Sequence, residues 1–232
     1  MDRPVLVTGA SSGIGAAVVE RLVDDGREVV AVSRRRPTAL GVDPDRVCWI
    51  GADLADAGSL EDLVAAVLAE GRGLDGIVHA AGLQHAARLG AGAGAGLEQM
   101  WRVHVAAAME LVDGLTDQIS DGGRIVLLGS RTQVGVAGKS GYAATKAALP
   151  ALARSWAAEL APRAITVNVV APGPTRTPML DDPARAAVPV QPPPLGRLIE
   201  PAEVAALVGY LFRAEAAMIT GQTLTICGGA SL

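Results

Sequence analysis

In Gly141-Tyr142-Ala143-Ala144-Thr145-Lys146 a tyrosine and a lysine stand four residues apart. On a helix that interval places both side chains on one face, with Cβ atoms roughly 5–6 Å apart. Such a pair suits proton transfer: Tyr142 donates, and Lys146 stabilises the phenolate left behind. A phenol titrates near ~10 when unperturbed, so acid–base work at neutral pH needs a lowering of roughly 2–3 pH units, about 3–4 kcal/mol. An ammonium in a partly dry cleft is the simplest source of that lowering. Composition sharpens the point, because of 20 basic residues only Lys139 and Lys146 are lysines. A chain that otherwise uses arginine has put a compact point charge beside a phenol, where a planar guanidinium is no equivalent. Alone, the pair also fits the exposed face of an alanine-rich helix, so the rest of the chain has to decide.

A length of 232 residues suits one large α/β domain or two small ones. Half the residues are hydrophobic, yet only three Trp, two Tyr and one Phe are aromatic. That composition favours close helix–sheet packing and offers little to stack on nucleobases. Net charge is −4 and the arginines are scattered apart from Arg34-Arg35-Arg36, so nucleic acid is not an expected partner. Cys48 and Cys227 fall in strands expected to be buried, and read as free thiols of a reducing compartment. A strand follows directly on Met1 with no signal peptide, and Gly, Pro or charge breaks every apolar run before it reaches membrane-spanning length. A cytoplasmic protein is expected. His79, His85 and His104 lack ligand spacing and have no acidic cluster beside them, so no metal is expected.

The elements that would position the pair follow in order. Pro4–Thr8 is a short apolar run feeding Thr8-Gly9-Ala10-Ser11-Ser12-Gly13-Ile14-Gly15, with an amphipathic helix to about Asp25. Strand, glycine turn and helix make a phosphate-binding loop, since glycine lets backbone approach a pyrophosphate and the helix N-terminus offers free N–H groups. Glu28–Ser33 is a second strand, ending in Ser33-Arg34-Arg35-Arg36. An acidic residue there would hold ribose hydroxyls; Ser33 followed by arginines suits a 2′-phosphate, favouring NADP(H) while leaving NAD(H) possible. A solvated basic turn is the alternative. Arg46–Ile50 is a third strand, with Asp53-Leu54 past its end and a helix capped by Ser59 running to about Glu70. Leu74–His79 is the fourth, followed by Ala80-Ala81-Gly82, small enough to lie along a cofactor. Residues 89–96 are low-complexity and expected to form a mobile loop. A long helix is expected over 97–119, a fifth strand over 124–129 ending at Ser130, the Tyr/Lys helix over 141–160 and a sixth strand over 164–170. Residues 180–198 hold five prolines and suggest a substrate flap around 175–198. A helix over 201–212 and a strand over 222–226 complete the chain. The alternation predicts one α/β domain over 1–232, a doubly wound parallel sheet of about seven strands flanked by helices.

Across essentially its whole length the chain resembles the short-chain dehydrogenase/reductase family. The matching stretches are the T-G-x-x-x-G-I-G loop, Asp53, Ala80-Ala81-Gly82, Ser130, Tyr142-x-x-x-Lys146, Asn168 and Pro172-Gly173-x-x-x-Thr177. The resemblance implies a Rossmann-type dinucleotide-binding domain and reversible hydride transfer between a nicotinamide and a carbonyl or alcohol. It implies that Ser130 holds the substrate oxygen, that Tyr142 passes the proton, and that Lys146 binds the nicotinamide ribose and tunes Tyr142. Thr175, Thr177 and the backbone at Pro172 and Gly173 would grip the nicotinamide end. Homodimers or homotetramers built through the two long helices are expected.

Three departures stand out. The family's N-x-A-G is His79-Ala80-Ala81-Gly82 here. His104 stands where the family carries an asparagine that anchors a water beside the lysine, so it is counted with the catalytic residues; a core histidine bonded to a carbonyl is the alternative. Ser130 precedes Tyr142 by one residue fewer than in relatives. Gln84, His85, Arg131, Gln133 and Met179 are the expected substrate contacts, able to bond a polyol, ring ketone or oxoacid. A small-molecule ketone reductase or alcohol dehydrogenase, in a biosynthetic pathway, is the first expectation. A 3-oxoacyl-carrier-protein reductase is the second, suggested by Leu195-Gly196-Arg197, Pro201-Ala202-Glu203-Val204 and Gly221-Gln222-Thr223-Leu224. It ranks lower because Asp113, Asp117 and Asp121 would repel an acidic carrier. A non-catalytic dinucleotide sensor or scaffold is the rival from another class.

Overall fold

A computed structural model describes residues 3–37, 41–92, 94, 96–183 and 188–232. Its strands are β1 (Val5–Thr8), β2 (Val29–Ser33), β3 (Val47–Gly51), β4 (Leu74–His79), β5 (Ile119–Leu128), β6 (Thr166–Pro172) and β7 (Thr223–Ile226). The helices are α1 (Gly13–Asp24), α2 (Ala57–Glu70), α3 (Leu97–Trp101), α4 (Ala107–Leu115), α5 (Ser140–Leu160) and α6 (Pro201–Leu211). One sheet of seven parallel strands results, in the order β3-β2-β1-β4-β5-β6-β7. Strand order reverses between β1 and β4, and a crevice at such a switch point, beyond the carboxyl ends of the strands, is where open α/β sheets bind ligands.

Strand alternation divides the core into two layers. Leu6, Val30, Ile77, Ile125 and Val167 pack on one face with Leu63 of α2, Leu111 of α4 and Leu149 of α5. Val5, Val7, Val29, Val78 and Val126 point to the other face and meet Val18 and Leu22 of α1 and Val204 and Val208 of α6. Because helices cover both faces, the inner strands read as continuous apolar runs rather than alternating ones. No helix among the described residues is long and apolar enough to cross a membrane.

The expected long helix over 97–119 is broken. Residues Arg102–Ala106 form a π turn between α3 and α4, and the helical stretch ends in a 3-10 turn at Thr116–Gln118. β5 starts five residues earlier than expected, pairing Ile119 with Leu74 before a register shift. β6 starts later, because Ala164 turns with φ 54. Asp56, not Ser59, caps α2 by accepting from the Ser59 N–H, while the Ser59 hydroxyl accepts from the Asp53 N–H. Cys48 is exposed on the edge strand β3, against expectation, whereas Cys227 is buried; both are free. The proposed flap falls partly on 184–187, outside the described residues, as do 93 and 95 of the glycine-rich loop.

Candidate active site

A cavity of about 730 Å³ opens over the carboxyl ends of β1, β4, β5 and β6. Gly9, Ser11, Ser12, Gly13, Ile14 and Gly15 line one end. Gly9 takes φ +70, and a Cβ on it would stand 2.8 Å from the Ala81 backbone; one on Gly15 would stand 2.2 Å from the Gly9 carbonyl oxygen. Only glycine lets β1, the β4 loop and α1 converge so closely. Ser12 makes no capping bond, and the first turn of α1 holds no acidic residue. The helix therefore presents open N–H groups and its positive end to the cavity, a fit for a diphosphate.

Ser33, Arg34, Asp53, Leu54, Ala80, Ala81 and Gly82 continue the wall. The Ser33 hydroxyl is spent within the turn, donating to the Arg35 carbonyl at 2.8 Å and accepting from the Trp49 indole at 3.1 Å. Arg35 itself lies off the cavity wall, so of the two arginines expected at the cofactor only Arg34 stands there. Asp53 Oδ1 accepts from the Ala55 N–H at 3.0 Å, which orients its carboxylate. Thr8, expected to touch cofactor, is fully buried behind the wall. Its hydroxyl accepts from the Ala81 N–H and donates to His79 Nδ1 at 3.1 Å. It thus fixes the backbone on which a cofactor would rest.

The Val103 carbonyl decides the tautomer of His79: it can only accept, so Nε2 carries the hydrogen and donates to it at 2.9 Å, inside the π turn, and Nδ1 accepts from Thr8. Burial, reinforced by the Lys146 charge, pulls the His79 pKa down to about 4. Where the family's motif has asparagine, His79 makes a neutral bridge from β4 to the π turn, which the sequence alone did not reveal.

Ser130, Tyr142 and Lys146 come together around the same cavity, with Pro172, Gly173, Thr175, Thr177 and Met179 across from them. Ser130 ends the loop after β5, where its hydroxyl accepts from the Thr132 N–H at 3.2 Å and meets the Thr132 hydroxyl at 2.9 Å. A 3-10 turn at Arg131–Val134 and positive φ at Gly135 and Gly138 carry the shortened link to α5. Lys146 is buried; its ammonium donates to the Leu128 carbonyl at 2.7 Å and lies 6.0 Å from the centre of the Tyr142 ring. Desolvation pulls its pKa down to about 7. A developing phenolate is the partner such an amine lacks.

His104 does not line the cavity but sits behind it, fully buried in the π turn. Its Nε2 accepts from the Leu83 N–H at 3.1 Å, so Nδ1 carries the hydrogen and donates to the Thr145 hydroxyl at 2.9 Å. Thr145 in turn donates to the Tyr142 carbonyl. Burial holds His104 well below the usual imidazole range, with Lys146 and His79 pushing the same way. Both ring nitrogens are spent, and the ring meets Tyr142 edge-on at 5.6 Å. His104, expected among the catalytic residues, thus stands behind the wall and bonds Leu83 and Thr145.

Gln84, His85 and Arg131 reach the cavity wall, although the Arg131 guanidinium donates to the Ala230 carbonyl at 2.8 Å. Gln133 does not reach it; its buried amide oxygen turns toward Gly129. The sequence missed Gln99, Val103 and Lys139, all on the wall. Of these only Lys139 carried a signal, as the second of two lysines. Among the described residues no cluster of side chains suits a metal ion.

Sheet order and loop chemistry define a dinucleotide-binding domain of the Rossmann type. A family model described as enoyl-(acyl carrier protein) reductase matches residues 9–231. The chain belongs to the short-chain dehydrogenase/reductase family, an oxidoreductase family whose members bind a nicotinamide dinucleotide. It is 35% identical to the 3-oxoacyl-[acyl-carrier-protein] reductase FabG of Vibrio cholerae, over 97% of this chain and 95% of that protein. It is 32% identical to the short-chain reductase protein NovJ of Streptomyces niveus, over 97% and 92% respectively. Among solved structures, a blue fluorescent protein from a metagenomic library, in complex with NADPH, superposes with a TM-score of 0.86 at 29% identity, over 99% of this chain and 98% of that one.

Proposed function

We propose that this chain is an NADP(H)-dependent reductase, or in reverse a dehydrogenase, of a small-molecule carbonyl or alcohol, working as a homo-oligomer. The observation that carries the reading is the meeting of Ser130, Tyr142 and Lys146 on one cavity with the open N-terminus of α1. The glycine loop would hold the diphosphate, Asp53 and Leu54 the adenine end, and Thr175, Thr177 and Lys146 the nicotinamide end. Bound there, the dinucleotide supplies or accepts the hydride. In reduction, negative charge grows on the carbonyl oxygen, and Ser130 and Tyr142 aim two hydroxyl donors at it. The Thr132 N–H donates to Ser130, and with the Thr132 hydroxyl also turned to donate, the Ser130 hydrogen is left for substrate. As Tyr142 gives up its proton, Lys146 supplies the countercharge in a site too dry to screen it.

Preference for the phosphorylated cofactor rests on Arg34 at the cavity wall, with no carboxylate at the end of β2 to repel a 2′-phosphate. The NADPH complex of the metagenomic relative supports it. Screening ketones for loss of NADPH absorbance tests the whole reading: turnover is expected with NADPH well ahead of NADH, and Arg34→Asp is expected to reverse that order. Equal use of both cofactors by the wild type would refute the assignment to Arg34, and cofactor binding without turnover of any carbonyl would favour a sensor.

A 3-oxoacyl-carrier-protein reductase is the second reading, supported by the likeness to the Vibrio protein. Two of the three carboxylates held against it, Asp117 and Asp121, border a different hollow, with Arg3 and Arg163, at the amino ends of the strands. Turnover of a 3-oxoacyl carrier thioester but not of free ketones would select this reading.

A further inference from the structure

Ser130 does not stand alone on its wall. Thr132, two residues on, lines the same cavity and is 6% exposed, beside 7% for Ser130. Its hydroxyl lies 2.9 Å from the Ser130 hydroxyl and meets no other hydrogen-bonding group among the described residues. The backbone beneath the pair is pinned. The Gly129 N–H donates to the Val170 carbonyl at 2.8 Å, the Gln133 N–H to the Ser130 carbonyl at 3.0 Å, and the Gly135 N–H to the Thr132 carbonyl at 2.8 Å. The Thr132 N–H donates to the Ser130 hydroxyl at 3.2 Å, which leaves that oxygen one lone pair and its own hydrogen. A β-branched side chain is also stiff about χ1. What stays free is the direction of two hydroxyl hydrogens.

We propose that Thr132 is a positioning residue for carbonyl reduction: its hydroxyl donates to Ser130 and so commits the Ser130 hydrogen to the substrate oxygen. The inference rests on the carbonyl-reductase reading above and extends it by one residue. A carbonyl oxygen can only accept, so seating it against Ser130 takes the serine hydrogen. The 2.9 Å contact is then a hydrogen bond only if Thr132 supplies the hydrogen. Otherwise two buried oxygens face each other unbridged, which is costly. With Thr132 donating, each bond polarises the next, and Ser130 becomes the stronger donor as negative charge grows on the substrate oxygen. In the empty cavity the same pair turns the other way at no loss, Ser130 donating to Thr132. Arrival of the carbonyl reverses both hydrogens together.

The test measures kcat and KM with NADPH on ethyl 3-oxobutanoate, or on the fastest ketone of the screen above if that ester is a poor substrate. Wild type, Thr132→Val and Thr132→Ser are compared. Valine keeps the shape of the side chain and removes its hydroxyl. Losing a donor that touches the oxyanion costs roughly 10²–10³ in kcat, and Thr132 acts one bond further away, so Thr132→Val is expected to lower kcat about tenfold. The KM for the ketone and the Kd for NADPH should stay within about twofold, and Thr132→Ser should recover most of the loss. In a Ser130→Ala background Thr132→Val should cost nothing further, because its effect passes through Ser130. Thr132→Ala serves in place of the valine variant should that one fold poorly. Unchanged or raised kcat in Thr132→Val would overturn the proposal, as would an equal loss in Thr132→Ser or an undiminished further loss in the absence of Ser130. If wild type binds NADPH yet reduces no ketone, the carbonyl-reductase reading itself fails before any variants are compared.

Discussion

Lys146 has lost most of the reason to be charged before any ligand arrives. Its pKa sits at about 7 because burial penalises the ammonium, whereas an unfolded lysine titrates near 10.5. Between those values the unfolded chain holds a proton that the folded one has released, so this group's contribution to stability rises with pH across the window. Melting temperatures of the dinucleotide-free protein should climb from pH 7 to pH 9 more steeply in wild type than in Lys146→Met; parallel curves would contradict the assignment. His79 acts in the same sense lower down, destabilising the fold as pH falls from 6.5 to about 4. Tyr142→Phe removes the proton donor and keeps the ring, so turnover should fall at least ~100-fold with cofactor affinity nearly unchanged, as single-turnover rates and binding titration would show. These residues were legible in the sequence because their types and spacing carry the chemistry. What the sequence did not disclose about Ser33, which stands on the cavity wall as expected, is that its hydroxyl accepts from Trp49, a neighbour only pairing of β2 with β3 creates.

At the scale of elements, the π turn is what the sequence concealed. One extra residue per turn leaves the apolar period of a helix almost undisturbed, so 97–119 reads as uninterrupted. π turns cluster at functional sites, and here the turn gives Val103 to His79 and His104 to Thr145. The two departures from the family pattern thus belong to a single arrangement, which ties β1 and β4 to the helix that carries Tyr142. Thr145→Val would strand the His104 Nδ1–H in a dry place, a cost of about 1–3 kcal/mol, while Thr145→Ser should retain most of the stability. Urea unfolding of Thr145→Val, His104→Phe and the double variant should show non-additive losses, since both delete one bond. Additive losses would mean the bond contributes little.

The whole molecule was the most legible scale. Seven strands, their parallel sense and a single domain follow from alternating apolar runs and helices, and strand boundaries differ by more than one residue only at β5 and β6, beside the β4–β5 register shift and Ala164. Burial at the sheet edge was less readable, as Cys48 shows, because nothing local marks β3 as the last strand. On the outside, Leu97, Trp101 and Met109 of α3 and α4 are between 39% and 48% exposed, a surface suited to the proposed homo-oligomer. Trp101→Glu should shift the protein to a smaller species by light scattering if that face joins subunits. Finally, both lysines of the chain border the cavity. Amine-directed dyes, crosslinkers and activated resins therefore have no side-chain target elsewhere on the protein; apart from the terminal amine, attachment would fall on the reaction chamber, and bound dinucleotide should shield it.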